Sequence, residues 1–293
     1  MRIAVLGKGA WGNALASVVS ENHRDVVVWG RGDPFPKADV LVISVPTQAI
    51  REVLSLKSPE DKPWIVNCSK GIERETNKLP VEVVFEVCGD STKYFSLMGP
   101  SFSKEVIDKM PTLVNLGSFG QAGEEAEQIR QAFQTDFFRV RITSGILSME
   151  LSAALKNFYA VACGIAEGLH YGQNTRAKLI AIAIEETYRL CDGLSYQRDD
   201  HATAGIIGDF LLTCNSMESR NFKFGTLLAE NSAEKARKIV GATVEGYNTC
   251  ASMPEFLKRA GVDLPLAHFI LDAVKLEGKE KLKARFMEFE EQV

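Results

Sequence analysis

Apolar residues in the first half of the chain fall in short unbroken runs: Ile3 to Leu6, Val26 to Trp29, Val40 to Val45, Trp64 to Cys68, Phe95 to Met98, and a stretch near Pro111 to Leu116. Apolar residues on consecutive rather than alternating positions mark strands covered on both faces, as in a parallel sheet flanked by helices. Asn13 to Ser20 carries a helical pattern between the first two runs. The pattern predicts a doubly wound α/β sheet. From about Ser144 the strand signals stop, and helical periodicity runs through Leu147 to Ala166, Thr175 to Leu190, Ala233 to Val240 and Leu264 to Leu276. An all-α C-terminal domain follows. The change of period puts the domains at 1–142 and 143–293, with no flexible linker, so close packing around a cleft is expected.

Composition narrows the class. With 293 residues, 45% hydrophobic and 25% charged, the chain can bury a real core and is long enough for two domains. A net charge of −4 without a basic block offers no footprint for nucleic acid. The longest apolar stretch, Phe158 to Ala166, falls far short of the roughly 20 residues a membrane span needs. The amino terminus lacks the run of a secretory signal, which makes the cytoplasm the expected location. Six cysteines lie far apart, so neither a metal site nor a CxxC redox motif is expected.

Gly7-Lys8-Gly9-Ala10-Trp11-Gly12 is a GxGxxG that directly follows the first strand and opens a helix. The first glycine permits the turn, the second lets a pyrophosphate approach the backbone, and the third lets helix and strand pack. The helix amino terminus then faces the phosphates. The sheet is therefore expected to be of the Rossmann type and to bind a dinucleotide. The tip of the second strand reads Trp29-Gly30-Arg31-Gly32-Asp33, and its first available side chain is the cation Arg31. Because a 2′-phosphate suits an arginine there, NADP is expected to serve at least as well as NAD; a solvated arginine in a turn is the other reading.

Polar residues interrupt otherwise apolar stretches at four places. Lys156 sits among Ala153, Ala154, Leu155, Phe158 and Tyr159, where a lysine either exchanges a proton, its pKa lowered by burial, or snorkels to solvent. Asp209 and Thr213 are four apart and share a face if helical. Asp209 then holds a lysine or a substrate hydroxyl, or merely sits at a helix start. Arg220 and Asn221 offer a planar cation and an amide suited to a phosphoryl group, or a surface loop. Lys70 follows the fourth strand, where a parallel sheet presents side chains to ligand, or is a solvated loop lysine. His201, after Asp199 and Asp200, is read as solvated and given no role.

Cys68-Ser69-Lys70-Gly71-Ile72-Glu73, Met98-Gly99-Pro100-Ser101-Phe102-Ser103-Lys104-Glu105-Val106, Ala154-Leu155-Lys156-Asn157, Gly208-Asp209 through Cys214 to Ser219-Arg220-Asn221, and Val244-Glu245-Gly246-Tyr247 occur in that order. As a set they resemble the bacterial-type NAD(P)-dependent glycerol-3-phosphate dehydrogenases over nearly the whole chain. The resemblance implies reduction of dihydroxyacetone phosphate to sn-glycerol 3-phosphate for phospholipid synthesis, with NADP or NAD as cofactor. It implies Lys156, Lys70 and Asp209 as catalytic, and Gly99, Ser101, Asn157, Thr213, Ser219, Arg220 and Asn221 with them around the substrate. Around the cofactor it implies Gly7, Gly9, Ala10, Trp11, Gly12, Arg31, Lys70, Ser103, Arg220 and Glu245. The expected partner is a phosphorylated triose, with no nucleic acid and no membrane span, and a homodimer stays open. Between Arg31 and the third strand stand only Gly32 to Asp39, where the family usually carries a helix and more chain. Two other readings stay open: a two-domain dehydrogenase for a 3-hydroxy acid or sugar acid, and a non-catalytic dinucleotide sensor.

Overall fold

The computed structural model describes residues 1–58, 60–119, 123–198 and 203–293; His201 lies outside them. Two compact units emerge: Met1–Glu150 with Arg198–Gly208, and Leu151–Gln197 with Asp209–Val293. This division falls at residue 150, beyond the expected 142, and returns a later segment to the first unit. The reason lies in the start of a long helix, where Ile146 and Met149 pack on Gly117 of the sheet.

The first unit is built on seven strands, β1 (Ile3–Leu6), β2 (Val26–Trp29), β3 (Val40–Ile43), β4 (Trp64–Asn67), β5 (Tyr94–Met98), β6 (Thr112–Ser118) and β7 (Phe138–Thr143). Their order in the sheet is β2-β1-β3-β4-β5-β6-β7. Ile3 pairs in register with Val26 on one side and Val40 on the other. Helices α1 (Ala10–Ser20), α2 (Ile50–Leu54), α3 (Pro80–Cys88), α4 (Ser103–Ile107) and α5 (Glu124–Phe133) accompany them. The central strands β1 and β3 are buried at every position, as their unbroken apolar runs require.

Two details depart from the sequence expectation. β5 and β6 pair antiparallel, Phe95 opposite Ser118. The helix between them, α4, has only five residues and rises about 7.5 Å, too short to return the chain along a strand of about 17 Å, so it re-enters from the same end. The seventh strand, β7, alternates buried Phe138 and Val140 with exposed Arg139 and Arg141. As an edge strand it has no unbroken apolar run to betray it. Between β2 and β3 no helix forms, and the ten residues 30–39 make the whole connection.

The second unit is helical. The long helix α6 (Ile146–Gly168) is followed by α7 (Gln173–Gly193), α8 (Asp209–Cys214), α9 (Arg220–Leu228), α10 (Ala233–Val240), α11 (Glu245–Ala260), α12 (Pro265–Ala273) and α13 (Lys279–Glu290). A π-helical turn, Ala204–Gly208, runs directly into α8. Every residue of α6 from Ser148 to Ala166 is buried, as a helix apolar on all sides must be. α6 and α9 approach until backbones touch: a Cβ on Gly225 would stand 2.1 Å from the Val161 carbonyl oxygen, and one on Gly164 2.0 Å from that of Phe222.

Candidate active site

The glycine-rich loop has the geometry of a dinucleotide cradle. Gly7 adopts φ 128°, which L side chains rarely adopt. Gly12 is pressed against the loop it follows, and a Cβ there would lie 1.9 Å from the Gly7 carbonyl oxygen. Gly9 is different, because a Cβ on it would meet nothing within 4 Å. It is also the N-cap of α1 and supplies no side-chain acceptor, so the first-turn N–H groups stay available to an anion. A closely approaching pyrophosphate therefore fits these residues. Ala10 and Trp11 open α1, with Trp11 half-buried against the core beneath.

Beyond β2, Arg31 is exposed and paired with Glu52 at 3.2 Å. Asp33 accepts from the Gly30 amide at 2.9 Å and from Lys8 at 2.7 Å. The bonds from Lys8 and Gly30 hold its carboxyl below the ordinary carboxylate value.

Lys70, Gly99 and Ser101 come together in the first unit. The Lys70 ammonium donates to the Gly99 carbonyl at 3.0 Å, and the Ser101 hydroxyl donates to the same oxygen at 3.1 Å. Gly99 is required where it sits, since a Cβ would press within 2.9 Å of Val114 Cα. Ser103 is the first residue of α4.

In the second unit Lys156 is 6% exposed and Asp209 1%. The Lys156 ammonium is bonded to Asp209 and, at 2.9 Å, to the Thr213 hydroxyl. Asp209 and Thr213 lie one turn apart on α8 and so present both acceptors to one amine.

Asn157, next on α6, accepts from Asn221 at 2.8 Å, and Asn221 accepts from the Gly246 amide at 2.9 Å. A Cβ on Gly246 would stand 2.1 Å from the Asn157 carbonyl oxygen, so α11 meets α6 backbone to backbone. Ser219 caps α9 by accepting from Phe222 N. Arg220, the first residue of α9, is exposed, and Glu245 opens α11. The side chains of Asn221 and Ser219 are thus engaged in framework bonds, a use their adjacency in sequence does not reveal.

Sequence reasoning missed Glu150, a buried carboxylate bonded to Asn67, Tyr94 and Val81. The signal was present, since Glu150 interrupts an apolar stretch as Lys156 does. Among the described residues no cluster of acids, histidines and cysteines is arranged to hold a metal. No described helix is long and apolar enough to cross a membrane.

Comparison with known proteins matches residues 2–35 and 33–123 to the N-terminal domain of NAD-dependent glycerol-3-phosphate dehydrogenase, and residues 145–283 to its C-terminal domain. The two N-terminal stretches meet inside the short β2–β3 connection. Glycerol-3-phosphate dehydrogenase [NAD(P)+] of Thermotoga sp. (strain RQ2) is 33% identical over 316 positions, covering 97% of this chain and 95% of that protein. Its namesake from Erythrobacter litoralis is 33% identical, covering 92% and 90%. A crystal structure of glycerol-3-phosphate dehydrogenase from Coxiella burnetii superposes with a TM-score of 0.86 at 25% identity, covering 97% of this chain and 98% of that one. The chain belongs to the NAD-dependent glycerol-3-phosphate dehydrogenase family.

Proposed function

We propose that this protein reduces dihydroxyacetone phosphate to sn-glycerol 3-phosphate, reversibly, with NADPH or NADH. The observation that carries the reading is the buried Lys156–Asp209–Thr213 cluster in a chain of this family. When bound, the reduced nicotinamide supplies the hydride that reaches C2 of the substrate. Lys156 gives its proton to the oxygen on C2 as that oxygen gains charge, and takes it back in the oxidative direction. Asp209 and Thr213 hold the amine in place and Asp209 balances its charge. Lys70 polarises the carbonyl, where a cation is worth most because charge develops there. Since Asn157 Oδ1 is taken by Asn221, the Nδ2 end of that amide is the one able to donate to a substrate oxygen.

Arg220, Asn221 and the first turn of α9 hold the phosphate; the bonds of Asn221 to Asn157 and Gly246 also fix that turn to α6 and α11. Gly7, Gly9 and Gly12 seat the pyrophosphate, and Arg31 takes a 2′-phosphate in preference to a hydroxyl. None of the six cysteines is in a disulfide, which suits the reducing cytosol and a place at the entry to glycerophospholipid synthesis. The test is NADPH oxidation followed by absorbance with dihydroxyacetone phosphate, with hydroxypyruvate and with no added substrate. Turnover confined to dihydroxyacetone phosphate is expected. Turnover on hydroxypyruvate instead would point to a hydroxy-acid dehydrogenase, and none on either to a dinucleotide sensor.

A further inference from the structure

Glu150 is 1% exposed, and its carboxylate is surrounded by donors. Oε1 accepts from Asn67 Nδ2 at 3.0 Å and from the Tyr94 hydroxyl, while Oε2 accepts from the Val81 amide at 3.0 Å. Burial raises the carboxyl above its ordinary value, against the opposing pull of these bonds. An apolar side chain would fill the same space without that desolvation, so a reason for the charge has to be found in what it bonds.

Asn67 ends β4 and is fully buried. Its side chain grips residue 69 twice: Oδ1 accepts from Ser69 N at 2.9 Å and Nδ2 donates to Ser69 O at 3.1 Å. An amide has two ends of nearly equal size, and only one orientation makes this grip. The carboxylate of Glu150 selects it, because the flipped amide would set its oxygen against a charged acceptor and strand the Ser69 N–H. Ser69 is secured further by its hydroxyl, which donates to Val45 O at 2.6 Å. The next residue is Lys70, whose ammonium meets Gly99 O.

We infer that Glu150 is a positioning residue for Lys70, acting through the orientation of the Asn67 amide. The inference rests on the proposed role of Lys70 and adds to it the device that fixes where that lysine starts from. The competing role is local: through Val81 N, Glu150 also satisfies a first-turn amide of α3, which is a matter of stability alone.

The experiment compares Glu150→Gln and Asn67→Ala, each alone and combined with Lys70→Ala, reading kcat with dihydroxyacetone phosphate and NADPH alongside thermal unfolding. Asn67→Ala leaves the Glu150–Val81 bond in place, so it carries the test even where Glu150→Gln fails to fold. Each single variant is expected to lower kcat about ten- to hundredfold, as small misplacements of a catalytic group do. In the Lys70→Ala background either change should lower kcat less than twofold further, since the group being positioned is gone. Wild-type kcat in folded Asn67→Ala, or the same loss with and without Lys70, overturns the inference. Wild-type kcat in Lys70→Ala by itself overturns the assignment of Lys70, a distinct result, and the inference falls with it.

Discussion

The candidate sites of the two units are built of different materials. In the first, the proposed cofactor cradle is backbone: a turn at φ 128°, a glycine with open space above it and a helix start without a side-chain cap. In the second, the proposed chemistry rests on three side chains on two helices, buried where only mutual bonding makes a cation and an anion tolerable. A backbone site fails when an atom is added, and a side-chain site fails when one is removed. That asymmetry can be tested directly.

The largest effect is expected in the second unit. Lys156→Met should lower kcat about hundredfold or more, the usual scale for an acid–base group, with NADPH affinity preserved. It also strands Asp209, so stability should fall by about 3–5 kcal/mol as for a broken buried ion pair, read as a shift in the denaturant midpoint. Asp209→Ala should destabilise on the same scale from the opposite side. Retained turnover in folded Lys156→Met would remove the lysine from the chemistry.

The glycine loop gives the next effects and splits them. Gly12→Ala places a methyl against the Gly7 carbonyl, where the overlap is with backbone and cannot be relieved by a rotamer. Stability should fall by about 1–3 kcal/mol, the scale of overpacking, together with a large loss of NADPH affinity. Gly9→Ala meets no protein atom, so the melting temperature should hold while NADPH affinity drops. Equal melting losses in the two variants would mean that Gly9 is a structural turn residue and no part of a pyrophosphate cradle.

The contrast also explains what could be read in advance. The loop is legible because only glycine meets the backbone demands at Gly7 and Gly12, which leaves a fixed spacing after an apolar run. Lys156, Asp209 and Thr213 were legible as polar residues in apolar or one-turn-apart contexts. Adjacency marks Asn221 as a phosphate candidate and Ser219 as a residue near the substrate, but it cannot show the bonds their side chains also make, to residues distant in sequence and to a helix cap. β7 was hidden because an edge strand alternates, and the reversal at β6 because pairing direction depends on how far a short helix can carry the chain. Glu150 interrupts an apolar stretch as Lys156 does, but its partners Asn67 and Tyr94 lie on two different strands, which no local pattern shows.

The smallest predicted effect concerns the exposed tip of β2. Arg31 is largely exposed, and its pair with Glu52 is of the solvent-screened type that contributes about 0–1 kcal/mol, so Glu52 is a weak competitor for a doubly charged 2′-phosphate. Asp33, the carboxylate closest in sequence that might have held a 2′-hydroxyl, is already occupied by Lys8 and the Gly30 amide. Both facts favour NADPH. Arg31→Glu should raise the NADPH Kd about tenfold, by removing one charge-assisted contact and adding a repulsive one, while the NADH Kd stays within about twofold. The change should shrink at high salt, because the site is open to solvent. Parallel titrations of both cofactors check this, and an unaltered ratio of the two constants would leave Arg31 as a surface residue whose partner is Glu52 alone.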